Sequence, residues 1–135
     1  MAITPTKEQF GTFAHGSRDG EIVMINLLHF ARDGAGGAGT GKDAYGDYSD
    51  AALQMVAARG GRVVWMGRPE QVLIGDDESD GWDLAVLVSY PSRAAFIDMV
   101  TSPRYKEAHT HRERGLDRTV LLACQPLPVD GPADA

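Results

Sequence analysis

The residues of this 135-residue chain with the most to offer chemically come late, in the run Tyr105-Lys-Glu-Ala-His-Thr-His-Arg112. Two histidines one residue apart would, on a strand, turn both rings to one face and could hold a metal. On a helix they diverge by roughly 200°, because the turn repeats every 3.6 residues. Ser102-Pro103 reads as a serine cap followed by a first-turn proline, which predicts a helix running to about Gly115, so this pair is not expected to chelate. The inward stripe of that helix is Tyr105, Ala108, Arg112 and Leu116, flanked by His109, while His111 falls with Arg104, Glu107 and Arg114 on the wet side. His109 is thus the candidate catalytic residue, a general acid or base in a pocket, and His111 a surface residue. Arg112 could grip a substrate carboxylate with two parallel bonds, but a structural pairing with Asp83 or Asp98 is the expected one.

Asn26 interrupts the most apolar stretch of the chain, and an unpaired amide there would cost a few kcal/mol. It must have partners, and two readings stay open: a bond to backbone or buried water, or the orientation of a ligand carbonyl. Tyr45, Tyr48, Trp82, Tyr90 and Arg112 complete the expected ligand-binding set with Asn26, since tyrosine hydroxyls at a sheet–helix boundary often line pockets. Core or interface roles compete for the aromatic residues, Trp65 among them. His29 alternates away from Asn26 and cannot share its sheet face without a bulge. His15 reads as a solvated loop residue. The single cysteine, Cys124, sits in an apolar run and is expected to be a buried, inert thiol. Residues 34–41, Gly-Ala-Gly-Gly-Ala-Gly-Thr-Gly, lack the lysine and spacing of a phosphate-binding loop. No Gly-x-Ser-x-Gly, His-Glu-x-x-His or Cys-x-x-Cys occurs. No metal or other cofactor is expected.

The elements that must position these groups follow from periodicity. Residues 21–30 are apolar on both alternating sets, which suits a strand covered on both faces. The glycine-rich stretch 31–41 reads as a loop that could lie over a pocket. Asp43 can cap a helix with the inner stripe Tyr45, Tyr48, Ala52, Met55 or Val56, and Arg59, stopped by Gly60-Gly61. A second extended region, 62–66 and 71–74, is broken at Pro69 and followed by an acidic turn at 76–81. Residues 82–90 read as the third strand, Ser92 caps a short helix burying Ala95, Phe96, Met99 and Val100, and 119–127 is the fourth strand. With a leading helix around 6–14, the order is β-α-β-β-α-β: an α+β, ferredoxin-like fold with one antiparallel sheet and its helices on one side. That leaves a second apolar sheet face, for which an identical chain is the simplest cover, hence an expected homodimer.

Composition agrees with this and excludes other classes. A hydrophobic fraction of 43% and a charged fraction of 24% are those of a globular protein, and the length suits a single domain over 1–135. Its core is expected over about 20–127, with a leading helix and loop at 1–19 and a flexible tail at 128–135. No apolar stretch approaches the ~20 residues of a membrane span, and no basic segment leads into an apolar one at the N-terminus, so a cytoplasmic location without membrane partners is expected. A formal charge of −6 with no basic stripe argues against nucleic acid.

Five motifs carry a resemblance: Met24-Ile-Asn-Leu-Leu-His-Phe30, Gly60-Gly-Arg-Val-Val-Trp65, Trp82-Asp83, Tyr90-Pro-Ser-Arg-Ala-Ala-Phe96, and the 105–112 run leading to Gly115-Leu116. Together, over about residues 21–127, they resemble the bacterial family called domain of unknown function 1330. The resemblance implies a dimeric α+β barrel, in which two ferredoxin-like sheets face each other and each protomer keeps a cavity between sheet and helices. It implies no reaction. Proteins of similar fold include isomerases and quinone-forming monooxygenases, so the expected function is a small-molecule pocket, either of a cofactor-independent enzyme or of a non-catalytic binding dimer. Haem-degrading proteins of this fold use an asparagine, a tryptophan and a histidine, and Asn26, Trp82 and His109 echo those types without their spacing.

Overall fold

The computed structural model describes residues 3–16, 20–32, 40–75 and 81–129. Along the chain the elements are α1 (Lys7–Ala14), β1 (Ile22–Phe30), α2 (Gly41–Ala58), β2 (Arg62–Gly67), β3 (Leu84–Tyr90), α3 (Arg93–Val100), α4 (Pro103–Gly115) and β4 (Leu116–Cys124). The strands form one antiparallel sheet in the order β2-β3-β1-β4. The βαββαβ pattern read from periodicity is therefore the observed one, with the second helical region split in two at Thr101-Ser102.

Local chemistry explains the boundaries. Helix α1 begins at a reciprocal cap, with Gln9 N–H donating to Thr6 Oγ1 and Thr6 N–H to Gln9 Oε1. Helix α2 uses the same device: Thr40, not Asp43, is its cap, and Asp43 three residues on accepts from the Thr40 N–H at 3.1 Å. Ser92 and Ser102 cap α3 and α4 as the sequence predicts. Two glycines then allow elements to touch. A Cβ on Gly115 would lie 2.7 Å from the Tyr45 nitrogen, and one on Gly41 would lie 2.1 Å from the Ala31 carbonyl oxygen. So the start of α2, the end of α4 and the end of β1 meet backbone to backbone.

Three boundaries differ from the sequence reading. Residues 71–74 are not a strand; Leu73 and Ile74 stand exposed. Strand β3 starts at Leu84, because Trp82 and Asp83 belong to the approach to it, where Asp83 N–H donates to Leu28 O and the Asp83 carboxylate accepts from Phe30 N–H. Strand β4 follows α4 without a loop and ends at Cys124 rather than 127. Most of the glycine-rich stretch, the acidic turn up to residue 80, and residues 1–2, 17–19 and 130–135 lie outside the described residues.

The register decides which side chains share a face. Ile22, Met24, Asn26 and Leu28 of β1 lie opposite Tyr90, Val88, Val86 and Leu84 of β3 and face the helices. One cluster of buried residues joins Ile22, Met24 and Tyr90 to Met55 and Val56 of α2, Met99 of α3 and Ala108 of α4; a second joins Leu28, Val86 and Leu116. On the outer face Val23, Ile25, Leu27 and His29 lie beside Leu87 and Ala85 of β3 and beside Cys124, Leu122, Val120 and Arg118 of β4. Among the described residues no helix is long and apolar enough to cross a membrane.

Candidate functional site

Between the helix-facing side of the sheet and the helices lies a cavity of about 1150 Å³. Its wall is mainly apolar, from Met24, Val86 and Val88 on the sheet, Val56 on α2 and Phe96 and Met99 on α3, with α1 along one side. Into this wall the fold sets a small polar group: Asn26 from β1, Tyr45 and Tyr48 from α2, and Tyr105, His109 and Arg112 from α4. A few polar groups convergent on an apolar cleft is the usual make-up of a small-molecule site.

Each is positioned by its element. Tyr45 and Tyr48 are three residues apart on α2, and Tyr105, His109 and Arg112 share one side of α4, so packing α2 on α4 brings the five together. The hydroxyls of Tyr48 and Tyr105 hydrogen-bond at 3.0 Å, and their rings meet edge to face. Tyr45 packs on Tyr48, and the His109 ring lies 5.7 Å from that of Tyr105. Burial pushes the Tyr45 hydroxyl up to about 12 against the lowering effect of Arg112, and pushes Tyr48 and Tyr90 upward as well. All three tyrosines are therefore neutral donors at ordinary pH.

Asn26 takes the first of its two open readings, a bond to backbone, and the atom it leaves free is an acceptor, which suits a ligand donor and not a ligand carbonyl. Its Nδ2 donates to the Val86 carbonyl at 3.2 Å and, more weakly, to that of Met24 at 3.4 Å, which fixes the amide, while Oδ1 accepts no bond from the described residues. His109 is held loosely: its Nε2 lies 3.7 Å from Glu113 Oε1, and its Nδ1 is buried without a hydrogen-bond partner among the described residues. Desolvation, followed by the charge of Arg112, holds its pKa below the ordinary value, with Glu113 opposing. The imidazole is therefore neutral at pH 7.

Arg112 departs from expectation. It pairs with neither Asp98, which takes Arg59 at 2.9 Å, nor Asp83, which takes the Phe30 amide. Instead it is 6% exposed, donates from Nη1 to the Ile3 carbonyl at 2.6 Å, and lies 5.9 Å from the centre of the Tyr48 ring. No carboxylate among the described residues comes within 4.0 Å of it. A buried cation with no counter-charge is costly, and it lines the cavity.

Two other expected residues lie elsewhere or in other company. Trp82 does not line the cavity; its ring stacks 4.4 Å from the Arg118 guanidinium, whose Nη2 donates to Gly81 O. The trio Asn26, Trp82 and His109 therefore does not converge on one site. Tyr90 does line the cavity but is almost fully buried, against Phe96. His29 faces away from Asn26, as its alternation predicts, and bonds Asp117. His111 is not simply a surface residue, since its Nδ1 is covered and unpartnered among the described residues. Cys124 is half-buried on the outer face. Among the described residues no group of three or more His, Cys, Asp or Glu side chains gathers that could hold a metal. The sequence reading left out Tyr105 as a site residue, although its place four residues before His109 and seven before Arg112 was signal enough. It also left out the Ile3 carbonyl, for which the sequence carries no signal.

Comparison with known proteins agrees on the fold and family. A protein of unknown function from Rhodopseudomonas palustris, RPA0582, matches at 37% identity and a TM-score of 0.88 over 93% of this chain and 97% of that one. The methylated RPA0582 protein matches at 36% identity and a TM-score of 0.91, over 96% and 98%. A dabb family protein with a ferredoxin-like fold from Mesorhizobium loti shares the fold at 12% identity and a TM-score of 0.54, over 81% and 99%. No curated protein matches. The family model described as Domain of unknown function (DUF1330) matches residues 39–125, nearly two-thirds of the chain and including α2, α4 and the polar pocket residues Tyr45, Tyr48, Tyr105, His109 and Arg112, but not Ile3, Met24 or Asn26. The chain belongs to the DUF1330 family.

Proposed function

We propose that the protein is a homodimer that binds a small, largely apolar organic molecule in the cavity between its sheet and helices. The observation that carries this reading is the cavity itself: an apolar space of about 1150 Å³ whose polar groups Asn26, Tyr48, Tyr105, His109 and Arg112 all reach it, several with bonding capacity unused. The test uses a neutral, environment-sensitive dye such as Nile red. Its emission should rise with protein and fall when a ligand displaces it, and Val100→Trp, which adds bulk to the cavity wall, should abolish the rise while the circular dichroism spectrum is kept. A dye that stays dark with the wild type, or binds the variant equally, would sink the reading.

Catalysis is a second reading, favoured by one observation: a neutral imidazole stands in the wall of the cavity with its Nε2 held only by a 3.7 Å approach to Glu113. In that role His109 would accept a proton from a bound substrate, with the spare hydroxyl of the Tyr48–Tyr105 pair holding the oxygen that gains charge. Turnover of any lactone, phenol or carboxylic acid by the wild type that persists unchanged in His109→Gln would remove His109 from that role.

A further inference from the structure

The ligand that fits this cavity carries a negative charge, and we infer that it is an apolar monocarboxylate whose carboxylate is seated on Arg112. This inference rests on the pocket reading above and goes further by naming the ligand's head group.

Arg112 presents a guanidinium with five N–H donors, of which the described residues use one, toward Ile3 O. Its Nε and Nη2 donate to nothing among the described residues, although the side chain is more than nine-tenths buried and lines the cavity. Beside it, the Tyr48 and Tyr105 hydroxyls share a single hydrogen bond. One phenol must donate and the other accept, so the accepting phenol keeps an O–H with no acceptor among the described residues. The groups facing Arg112 from the elements packed around it are Tyr45 and Tyr48 on α2 and Tyr105 and His109 on α4. None of them is a carboxylate, and the Glu113 side chain lies 56% exposed beyond His109. This corner of the cavity thus holds one full positive charge, a spare phenol donor and no acid.

A planar carboxylate supplies what is missing. Its two oxygens match the parallel Nε and Nη2 donors of an arginine, and a further lone pair can take the tyrosine O–H. The apolar remainder of the cavity then sets the rest of the ligand. Because the wall is dominated by side chains such as Met24, Val86, Val88 and Phe96, the body behind the carboxylate is hydrocarbon, aromatic or aliphatic.

The test compares two isosteric probes, 4-phenylbutyrate and 4-phenylbutanamide, by isothermal titration with the full chain. The acid should bind wild type at least about tenfold more tightly than the amide, a preference of ~1.4 kcal/mol. Arg112→Met, which keeps the stem and removes the charge, should erase that preference by weakening the acid more than the amide, and Tyr105→Phe should reduce it in part. Lys7 and Lys106 also line the cavity, so if Arg112→Met fails to fold, Lys7→Met and Lys106→Met must keep the wild-type preference for the acid, and loss of it in either overturns the seat on Arg112. Equal binding of acid and amide overturns the inference while leaving the pocket reading intact. Preference for 4-phenylbutylphosphonate over the acid also overturns it, since the seat would then be one for a phosphate group. If neither probe binds while Nile red does, the carboxylate seat is again wrong and the cavity stands; if the dye also fails, both readings fall.

Discussion

At the scale of single residues, the site is governed by what burial does to groups that would be ordinary in water. His109 has an unperturbed pKa of 6.5, lowered in the fold first by desolvation and then by Arg112. The unfolded chain therefore takes up a proton here before the folded one does, so stability present above 6.5 is lost as pH falls through the window below it. Urea unfolding of the wild type should show that slope, and His109→Gln should flatten it. A nuclear magnetic resonance titration of His109 should also move upward in Arg112→Met, because one of the two lowering causes is gone. An unchanged titration would mean that desolvation alone sets it. The tyrosines run the other way. Tyr45 reaches about 12, above its unfolded value of 10, so it stabilises the fold below pH 10 and that contribution disappears as pH rises through the folded value. Tyrosinate absorbance should accordingly stay below the full complement of four tyrosines above pH 10 until the protein unfolds, and then rise with the loss of ellipticity.

At the scale of elements, what the sequence made legible was what repeats along one strand or one helix. The β-α-β-β-α-β order, the serine caps at Ser92 and Ser102 and the inward stripe of α4 all come from spacing, and spacing survives folding. The partners of Arg112 did not follow, because which carboxylates reach a buried arginine depends on how α3, α4 and β1 lie in space: Asp98 faces Arg59 and Asp83 faces the Phe30 amide. Residues 71–74 misled for a related reason. Their apolar pattern is that of a strand, but a strand exists only where a neighbour offers a ladder, and among the described residues β2 pairs with β3 alone. The pocket follows from the approach of α2 to α4, and that approach depends on Gly115. Its hypothetical Cβ meets backbone atoms, the Tyr45 nitrogen at 2.7 Å and the Gly41 oxygen at 2.8 Å, which cannot swing aside as a side chain would. Gly115→Ala should therefore cost about 1–3 kcal/mol in urea unfolding. Thr40→Ala, which removes only the cap of α2, should cost about 1 kcal/mol. If Gly115→Ala proves as mild as the cap variant, or milder, the close approach of the two helices is not the constraint argued here.

At the scale of the whole molecule, the unresolved tension is the outer face of the sheet. Strands β1 and β3 place Val23, Ile25, Leu27 and Leu87 there, and the flanking strands add Trp65, 55% exposed, and Leu122, 49% exposed. Trp65 packs against Gly67, where any Cβ would meet its ring at 2.3 Å, and it lies beside Leu87 of β3. Apolar side chains gathered on one face in this way are what a partner surface would cover. The sheet is also flanked by a polar cluster at one end, His29 with Asp117 and Arg118 with Trp82, which would set the register of whatever covers it. A second copy of the chain meets both requirements, because a two-fold axis over the sheet sets apolar centre against apolar centre. The expected result is a sedimentation mass of two chains at micromolar concentration. Trp65→Glu, which puts one charge on each side of the two-fold interface at a residue that does not line the cavity, should shift that mass to one chain while leaving the cavity able to bind Nile red. A wild-type mass of one chain would end the dimer reading, and a Trp65→Glu variant that stays dimeric would move the interface away from this face.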